Sequence, residues 1–492
     1  MFNEYIWQLY LNAGGNNVVQ AFKSNFTNYT ENYGEFVGNL HKEYCPSNTI
    51  NTQLKELLSL EVVGELYELM NGCMLEDGEY TIETALQYIY ENKLYDEESN
   101  NDQSIFSYFS DFIETFTTCF AVELPELFIP YYFKYNFNVF EKIAQEFNIK
   151  LHVIPAKKDY KGRFYYYGEI CSALYDFRIE HDMTPYELCA FLYDFAPKYI
   201  GGIDSYIVND LPEPKSAYFI GGHKDDAFLS DASDTITPWQ CNPDTRAGDM
   251  IVMYLRSPIS AIDSIWRSVS IGFNDPFFYY YRCTYIANPT KIKQISQKKL
   301  EGDSVFKELP IVKKNMQGVD GVELYPSVYN HLLDMAKCDL AKFNFAIENN
   351  YAELKREKDV EDKLVKQLLE KLGYSENDYV QQLQIRVGNH NFKLIPDFVI
   401  NPLVANGHHS ADYLIEVKYS IPSSKILDDV KVQARSYAKQ LGTPYSVIAS
   451  REGIWISEKA DDYADDILSF SWEELDNEDN FYEVFKILGK GK

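Results

Sequence analysis

Apolar positions change their spacing from region to region along this chain. In residues 1–133 they recur three and four apart, as in TQLKELLSLEVVGELYELMNG (52–72) and TIETALQYIYENKLY (81–95), which predicts helices followed by a polar loop at DEESNNDQS. Residues 134–214 carry two more helical runs, FNVFEKIAQEFNI and the strongly apolar PYELCAFLYDFAPKYI. Across 215–340 the pattern shortens to β-rich runs, SAYFIGG, DMIVMYL, SIWRSVSIGF, FFYYYRCTYI and KIKQIS. Turn signals at NPDTRAGD, FNDP and ANP punctuate them, which predicts a compact barrel. AKCDLAKFNFAIENNYAELKREKD then predicts a semi-rigid helical connector into the last region, 341–492.

That last region alternates helix and strand. REKDVEDKLVKQLLEKLGY sets Val360, Leu364, Leu368 and Leu372 on one stripe and stops at Gly373. Two short strands follow, KLIPDFVI and DYLIEVKYS, with Asn401, Pro402, Asn406 and Gly407 breaking the pattern between them. SSKILDDVKVQARSYAKQLG predicts a second helix closed by Gly442, and YSVIAS and GIWIS predict a strand pair. The fold class expected is multidomain α+β, with an N-terminal helical region, a β-barrel and a C-terminal α/β domain.

Composition supports several cores. At 492 residues with 46% hydrophobic and 15% aromatic content, two to four domains are expected. No run of eighteen apolar residues occurs and MFNEYIWQLYLNAGGNN lacks the basic start of a signal peptide, so a cytoplasmic protein with no membrane span is expected. The eight cysteines are scattered with no C-x-x-C pair, which fits reduced core thiols better than zinc or disulfides. The net charge of -28 argues against indiscriminate binding to phosphate. Residues 1–133 hold 21 acidic side chains against 4 lysines, so the acid is concentrated at the front. That surface suits a scaffold or a protein partner, and self-association stays open. Lys157, Lys158, Lys161 and Arg163, interleaved with Tyr160, Phe164, Tyr165, Tyr166 and Tyr167, read either as a DNA-backbone contact or as a solvated loop running into a packed helix.

The chemistry concentrates in IPDFVINPLVANGHHSADYLIEVKYS. On a strand Glu416 and Lys418 project to one side and Ile415 and Val417 to the other. If the two strands pair, Asp397 reaches Glu416. Two carboxylates and an ammonium at a sheet end make a site for a hard divalent cation, whereas a plain surface hairpin would leave the same charges solvated. His408 and His409 fall in the intervening loop.

Together with a helix Glu upstream and Gln433 and Tyr437 one turn apart downstream, Pro396-Asp397 and Glu416-Val417-Lys418 stand in an order that resembles the PD-(D/E)XK nuclease superfamily. The likeness is to the N-terminal nuclease domain of type I restriction enzyme R subunits in particular, and it covers about the last third of the chain. It implies Mg²⁺ held by Asp397, Glu416, Glu361 and the Val417 carbonyl, a water oriented by Lys418, and Gln433 and Tyr437 placing Lys418 and the DNA backbone. Of Glu357 and Glu361, the latter is favoured because it lies nearer the helix centre. No G-x-x-x-x-G-K-[ST] phosphate loop occurs, so the motor of the type I subunits is missing.

Trp239, the G-D turn into DMIVMYL, Tyr254, Ser257-Pro258, Trp266 and the late P-I-V-K-K-N-x-Q-G segment are arranged in a way that resembles the EVE branch of PUA-like domains. That likeness implies a pocket for a flipped, modified base, with Trp239, Tyr254, Ser257 and Trp266 as candidates; in a small barrel the same aromatics also serve as core. The combined expectation is a Mg²⁺-dependent DNA endonuclease that acts on DNA carrying modified bases, a restriction factor in antiviral defence. The alternative is a binding module whose nuclease-like domain grips DNA without cutting.

Overall fold

Aromatic side chains too large for one helix face build the first core. Phe109, Phe116, Phe120, Tyr131, Phe133, Phe140, Phe164, Tyr167 and Phe191 are all fully buried in one cluster, many meeting edge-on, as Phe109 and Phe164 do at 4.7 Å. The computed structural model describes residues 2–27, 81–91, 101–201, 208–231, 236–347, 353–386, 393–405 and 408–491. The helix expected over 52–72 lies outside the described residues. The chain divides into two units, Met1–Glu323 and Leu324–Lys492, and no described helix is long and apolar enough to cross a membrane.

In the first unit the helices Ile82–Glu91 and Phe137–Phe147 fall where the periodicity puts them, and Asp102–Asp111 and Tyr160–Glu180 are further helices that it did not announce. Asp102, Gln103 and Ser104, expected in a loop, begin a helix because the Asn101 side chain accepts from Ser104 N. The Tyr160–Glu180 helix absorbs the basic and aromatic stretch. Arg163, Phe164, Tyr166 and Tyr167 are buried in it and Lys157 pairs with Asp320 at 3.0 Å, so only Lys158 and Lys161 stay exposed. Of the two readings of that stretch, the packed helix describes these residues.

The rest of this unit is a seven-stranded sheet: β1 (Ala217–Gly222), β2 (Thr237–Gln240), β3 (Met250–Leu255), β4 (Ala261–Ser268), β5 (Phe273–Asn274), β6 (Arg282–Ser296) and β7 (Asp320–Leu324). Its order is β2-β6-β4-β3-β1-β7, with β5 beside β6. β1 and β3 run parallel. Where a barrel is expected, the sheet curls into a half-barrel. The curl brings β7 against the end of β2 so closely that a Cβ on Gly321, at φ +96°, would strike the backbone of Cys241 and Asn242. Gly321→Ala therefore combines a strained φ with a backbone clash, and should cost about 2–4 kcal/mol. A shift of the denaturation midpoint worth less than about 1 kcal/mol would contradict this packing.

The run FFYYY, which reads as strand, is a turn. The Asp275 carboxylate accepts from Phe277 N, Phe278 N and Tyr135 N, and Tyr281 takes φ 72°. This local capping delays β6 to Arg282 and sends Phe277 into the aromatic core.

The second unit has a helix over Glu357–Lys371, interrupted by one wide π-turn at Glu361–Val365, and a six-stranded sheet. Numbered in chain order, the further strands are β8 (Tyr379–Gln381), β9 (Ile385–Arg386), β10 (Lys393–Leu394), β11 (Phe398–Ile400), β12 (Leu403–Ala405), β13 (His408–Ser410), β14 (Tyr413–Val417), β15 (Tyr445–Ser450), β16 (Gly453–Glu458) and β17 (Asp466–Phe470). The sheet runs β17-β16-β15-β14-β11-β8; β9–β10 and β12–β13 form separate hairpins. His408 and His409 thus open a strand instead of a loop. Only β14 and β15 pair in parallel, and the helix Ser424–Leu441 makes their crossover, ending at Gly442 with φ +64°. Its Val430, Ala434, Ala438 and Leu441 pack on Val399, Leu414 and Ile448.

Among the described residues, the expected helical connector does not form over 338–347. Lys337 at φ 53° ends the helix Pro326–Ala336, and residues 338–347 form neither helix nor strand, with Phe343, Phe345 and Ile347 buried at alternate positions. That helix belongs with the C-terminal unit: Ser327 N and Oγ donate to Asp479 at 3.0 and 2.6 Å.

Candidate functional site

Strand pairing assembles the site. β11 lies antiparallel to β14 with Phe398 opposite Ile415, which carries Asp397 to the position opposite Glu416. Asp397 Oδ2 accepts from Val417 N at 2.7 Å. Because alternate side chains share a face, Lys418 returns to Glu416: its Nζ donates to Glu416 Oε1 at 2.6 Å and to the Val417 carbonyl at 2.9 Å. The parallel ladder continues past β14, with Lys418 N donating to Ala449 O at 2.9 Å.

Glu416 is 2% exposed, and its second oxygen, Oε2, is buried with no hydrogen-bond partner. Burial, then the neighbouring Asp397 charge, pushes its carboxyl up to about 7 despite Lys418. Asp397 is raised by burial, and the charges of Glu357 and Glu361 add to this, while the Val417 N–H and Lys418 oppose it. For Lys418 burial works downward, but Glu416 and Asp397 outweigh it and hold the ammonium above its ordinary value.

The helix Glu357–Lys371 closes the other side. Glu357, Glu361 and Asp397 offer carboxylate oxygens that all lie within 4.8 Å of one another. Glu361 is buried, and its Oε2 accepts from Lys358 Nζ at 2.8 Å and from Gln381 Nε2 at 3.3 Å. Sequence reasoning set Glu357 aside and passed over Lys358 and Gln381. The i, i+4 spacing of the two glutamates was the available signal, and the π-turn that starts at Glu361 is invisible to it.

Gln433 and Tyr437 lie on the helix that packs over this face, and they partner each other, Gln433 Nε2 to Tyr437 OH at 3.0 Å. Tyr437 rests on the apolar cluster beneath, and the Lys418 ammonium is placed by Glu416 and the Val417 carbonyl instead.

Glu357, Glu361 and Asp397 form an all-oxygen group of the kind that can hold a hard divalent cation. Glu416, outside that group, pairs with Lys418 and keeps one buried oxygen lacking a partner.

The four residues proposed for a base pocket lie in the other unit. Trp266 is buried in the half-barrel core with Nε1 donating to Ser264 Oγ, and Tyr254 is 3% exposed with its OH donating to Gln297 Oε1. Ser257 stands in an exposed turn. Trp239 is half-buried against the same core, its Nε1 bonded to the Gly221 carbonyl.

Comparison with known protein families and with curated proteins finds no match. Among solved structures, Rpa0253 from Rhodopseudomonas palustris is 12% identical over 25% of this chain and 93% of its own, with a TM-score of 0.22. Atu2648 from Agrobacterium tumefaciens is 10% identical over 26% of this chain and 97% of its own, with a TM-score of 0.23. Neither likeness carries a fold or a function to this chain.

Proposed function

We propose that this protein is a Mg²⁺-dependent DNA endonuclease acting in modification-dependent restriction, with its chemistry at Asp397, Glu416 and Lys418. The observation that supports it most is the buried, partnerless Oε2 of Glu416 beside Asp397 and Lys418, because such an oxygen is costly unless a cation completes it. Asp397, Glu416, Glu361 and the Val417 carbonyl would hold Mg²⁺, and Glu357, whose carboxylate lies within 4.8 Å of those of Glu361 and Asp397, would join them. Bound there, the cation would supply charge neutralisation at the scissile phosphate.

The remaining work falls to the chain. Lys418, fixed by Glu416 and the Val417 carbonyl, orients the water that attacks phosphorus. Lys358 restrains Glu361 and Val417 N restrains Asp397, so the carboxylates are positioned before substrate arrives. In this reading the half-barrel unit recognises the modified base, with the half-buried Trp239 as the stacking face and Trp266 and Tyr254 as supports from the core.

The test is nicking of paired modified and unmodified plasmids by purified protein with Mg²⁺. Cleavage is expected to fall about 100-fold or more in Lys418→Ala, whose side chain is partly exposed and whose loss leaves the core intact. Metal-dependent binding without any nicking by the parent protein would favour the non-cleaving module instead.

A further inference from the structure

Beyond Lys418 the chain runs beside the turn that follows β15, and the two segments are stapled together by one carboxylate. Glu452 Oε1 accepts from Ser420 Oγ at 2.6 Å, and its Oε2 accepts from Ser450 Oγ at 2.6 Å and Ile421 N at 2.8 Å. Burial works against its charge, but these donors hold the carboxyl below its ordinary value. Both oxygens already accept from neutral donors. The adjacent Arg451 makes only a long ion pair with it, Nε to Glu452 Oε1 at 3.9 Å, and Glu452 is its one carboxylate within 4.0 Å among the described residues.

Arg451 is nevertheless held in place. Its NH1 donates to Tyr419 OH at 3.2 Å, its guanidinium sits 5.7 Å from the centre of the Tyr419 ring, and Tyr419 OH in turn donates to Leu354 O at 3.2 Å. Arg451 N reaches Tyr419 O at 3.4 Å, one step along the ladder from the bond between Lys418 N and Ala449 O. The side chain is 40% exposed and is held through Tyr419, the residue that follows Lys418 along the chain.

We infer that Arg451 is a phosphate anchor that binds a phosphodiester oxygen of the nucleic-acid strand next to the bond cut at Lys418, with Tyr419 and Glu452 as its positioning residues. This rests on the nuclease reading. A pre-oriented guanidinium presents a planar fork that matches phosphate, and phosphate contacts fix the register of a duplex on a protein. In a chain of net charge -28 such fixed cations are needed where the backbone must approach.

Arg451→Gln in the full chain tests it, using the modified plasmid of the nicking assay for KM and kcat and a labelled plain duplex for the salt slope. The anchor predicts KM raised roughly tenfold, a salt slope of log Kd reduced by about one, and kcat changed little. Half-saturation by Mg²⁺ should not move, and Arg451→Lys should recover part of the loss. An unchanged KM and salt slope would overturn the proposal, as would a fall in kcat alone, which marks a purely structural support of Lys418. If the parent protein binds but never cuts, the salt slope still decides: a reduced slope in Arg451→Gln keeps the anchor while the nuclease reading falls.

Discussion

Glu416→Gln should abolish Mg²⁺-dependent cleavage while leaving the fold at least as stable as before. The side chain is 2% exposed, shares its surroundings with Asp397 and keeps one oxygen without a partner, so its negative charge is expensive in the protein by itself. Glutamine keeps the shape and a carbonyl oxygen for Lys418, and the ammonium, 28% exposed, stays solvated without its partner's charge, so a stability change within about 1 kcal/mol is expected. Loss of one anionic ligand removes several kcal/mol of charge stabilisation at the phosphate, which is about a thousandfold or more in rate.

A thermal melt with and without Mg²⁺ gives the second readout. Binding at 100 times Kd stabilises a protein by about 2.7 kcal/mol, and that increment should vanish in Glu416→Gln. Cleavage at the parent rate, or an undiminished Mg²⁺-induced shift, would remove Glu416 from the site.

The parts of this site legible in the sequence are those set by local rules. Glu416 and Lys418 meet because a strand repeats every two residues, and Asp397 joins them because β11 and β14 pair. Gly442 closes its helix with the left-handed φ that glycine favours, and YSVIAS becomes β15. What escaped reading depends on side-chain capping and packing that propensity alone does not weigh. FFYYY has high strand propensity, yet Asp275 caps its backbone and makes it a turn. The helical reading of 336–359 overlooked a period of two in its described part, since Phe343, Phe345 and Ile347 alternate with exposed positions. Trp266 was eligible both as core and as a stacking face, and only three-dimensional packing places it in the core.

Arg163 is the clearest case of a residue whose role no local pattern announces, and its removal should be among the most damaging changes to the first unit. It belongs to a run of lysines and tyrosines that suits a DNA contact, but the side chain is fully buried. Its Nε donates to Pro276 O at 2.8 Å, NH1 to Lys157 O at 2.9 Å and NH2 to Phe278 O at 2.6 Å, with the guanidinium 4.1 Å from the Phe106 ring centre. One side chain therefore ties the start of the Tyr160–Glu180 helix to the turn that carries Phe277 into the aromatic core. Burial pulls its pKa down to about 10, so it remains charged at neutral pH, and Asp275 supports that charge. Arg163→Met fills similar space but leaves three carbonyls without their donor, each worth about 1–3 kcal/mol when buried. The neighbouring cation–π contact is lost as well, so a total of about 3–5 kcal/mol is expected, in line with other broken buried charge networks. Arg163→Lys should rescue little, because a single ammonium cannot reach three divergent acceptors. The measurement is the denaturant midpoint followed by tyrosine fluorescence and by far-UV circular dichroism. A loss under about 1 kcal/mol in Arg163→Met would mean that the aromatic packing around Phe277 holds this junction without the guanidinium.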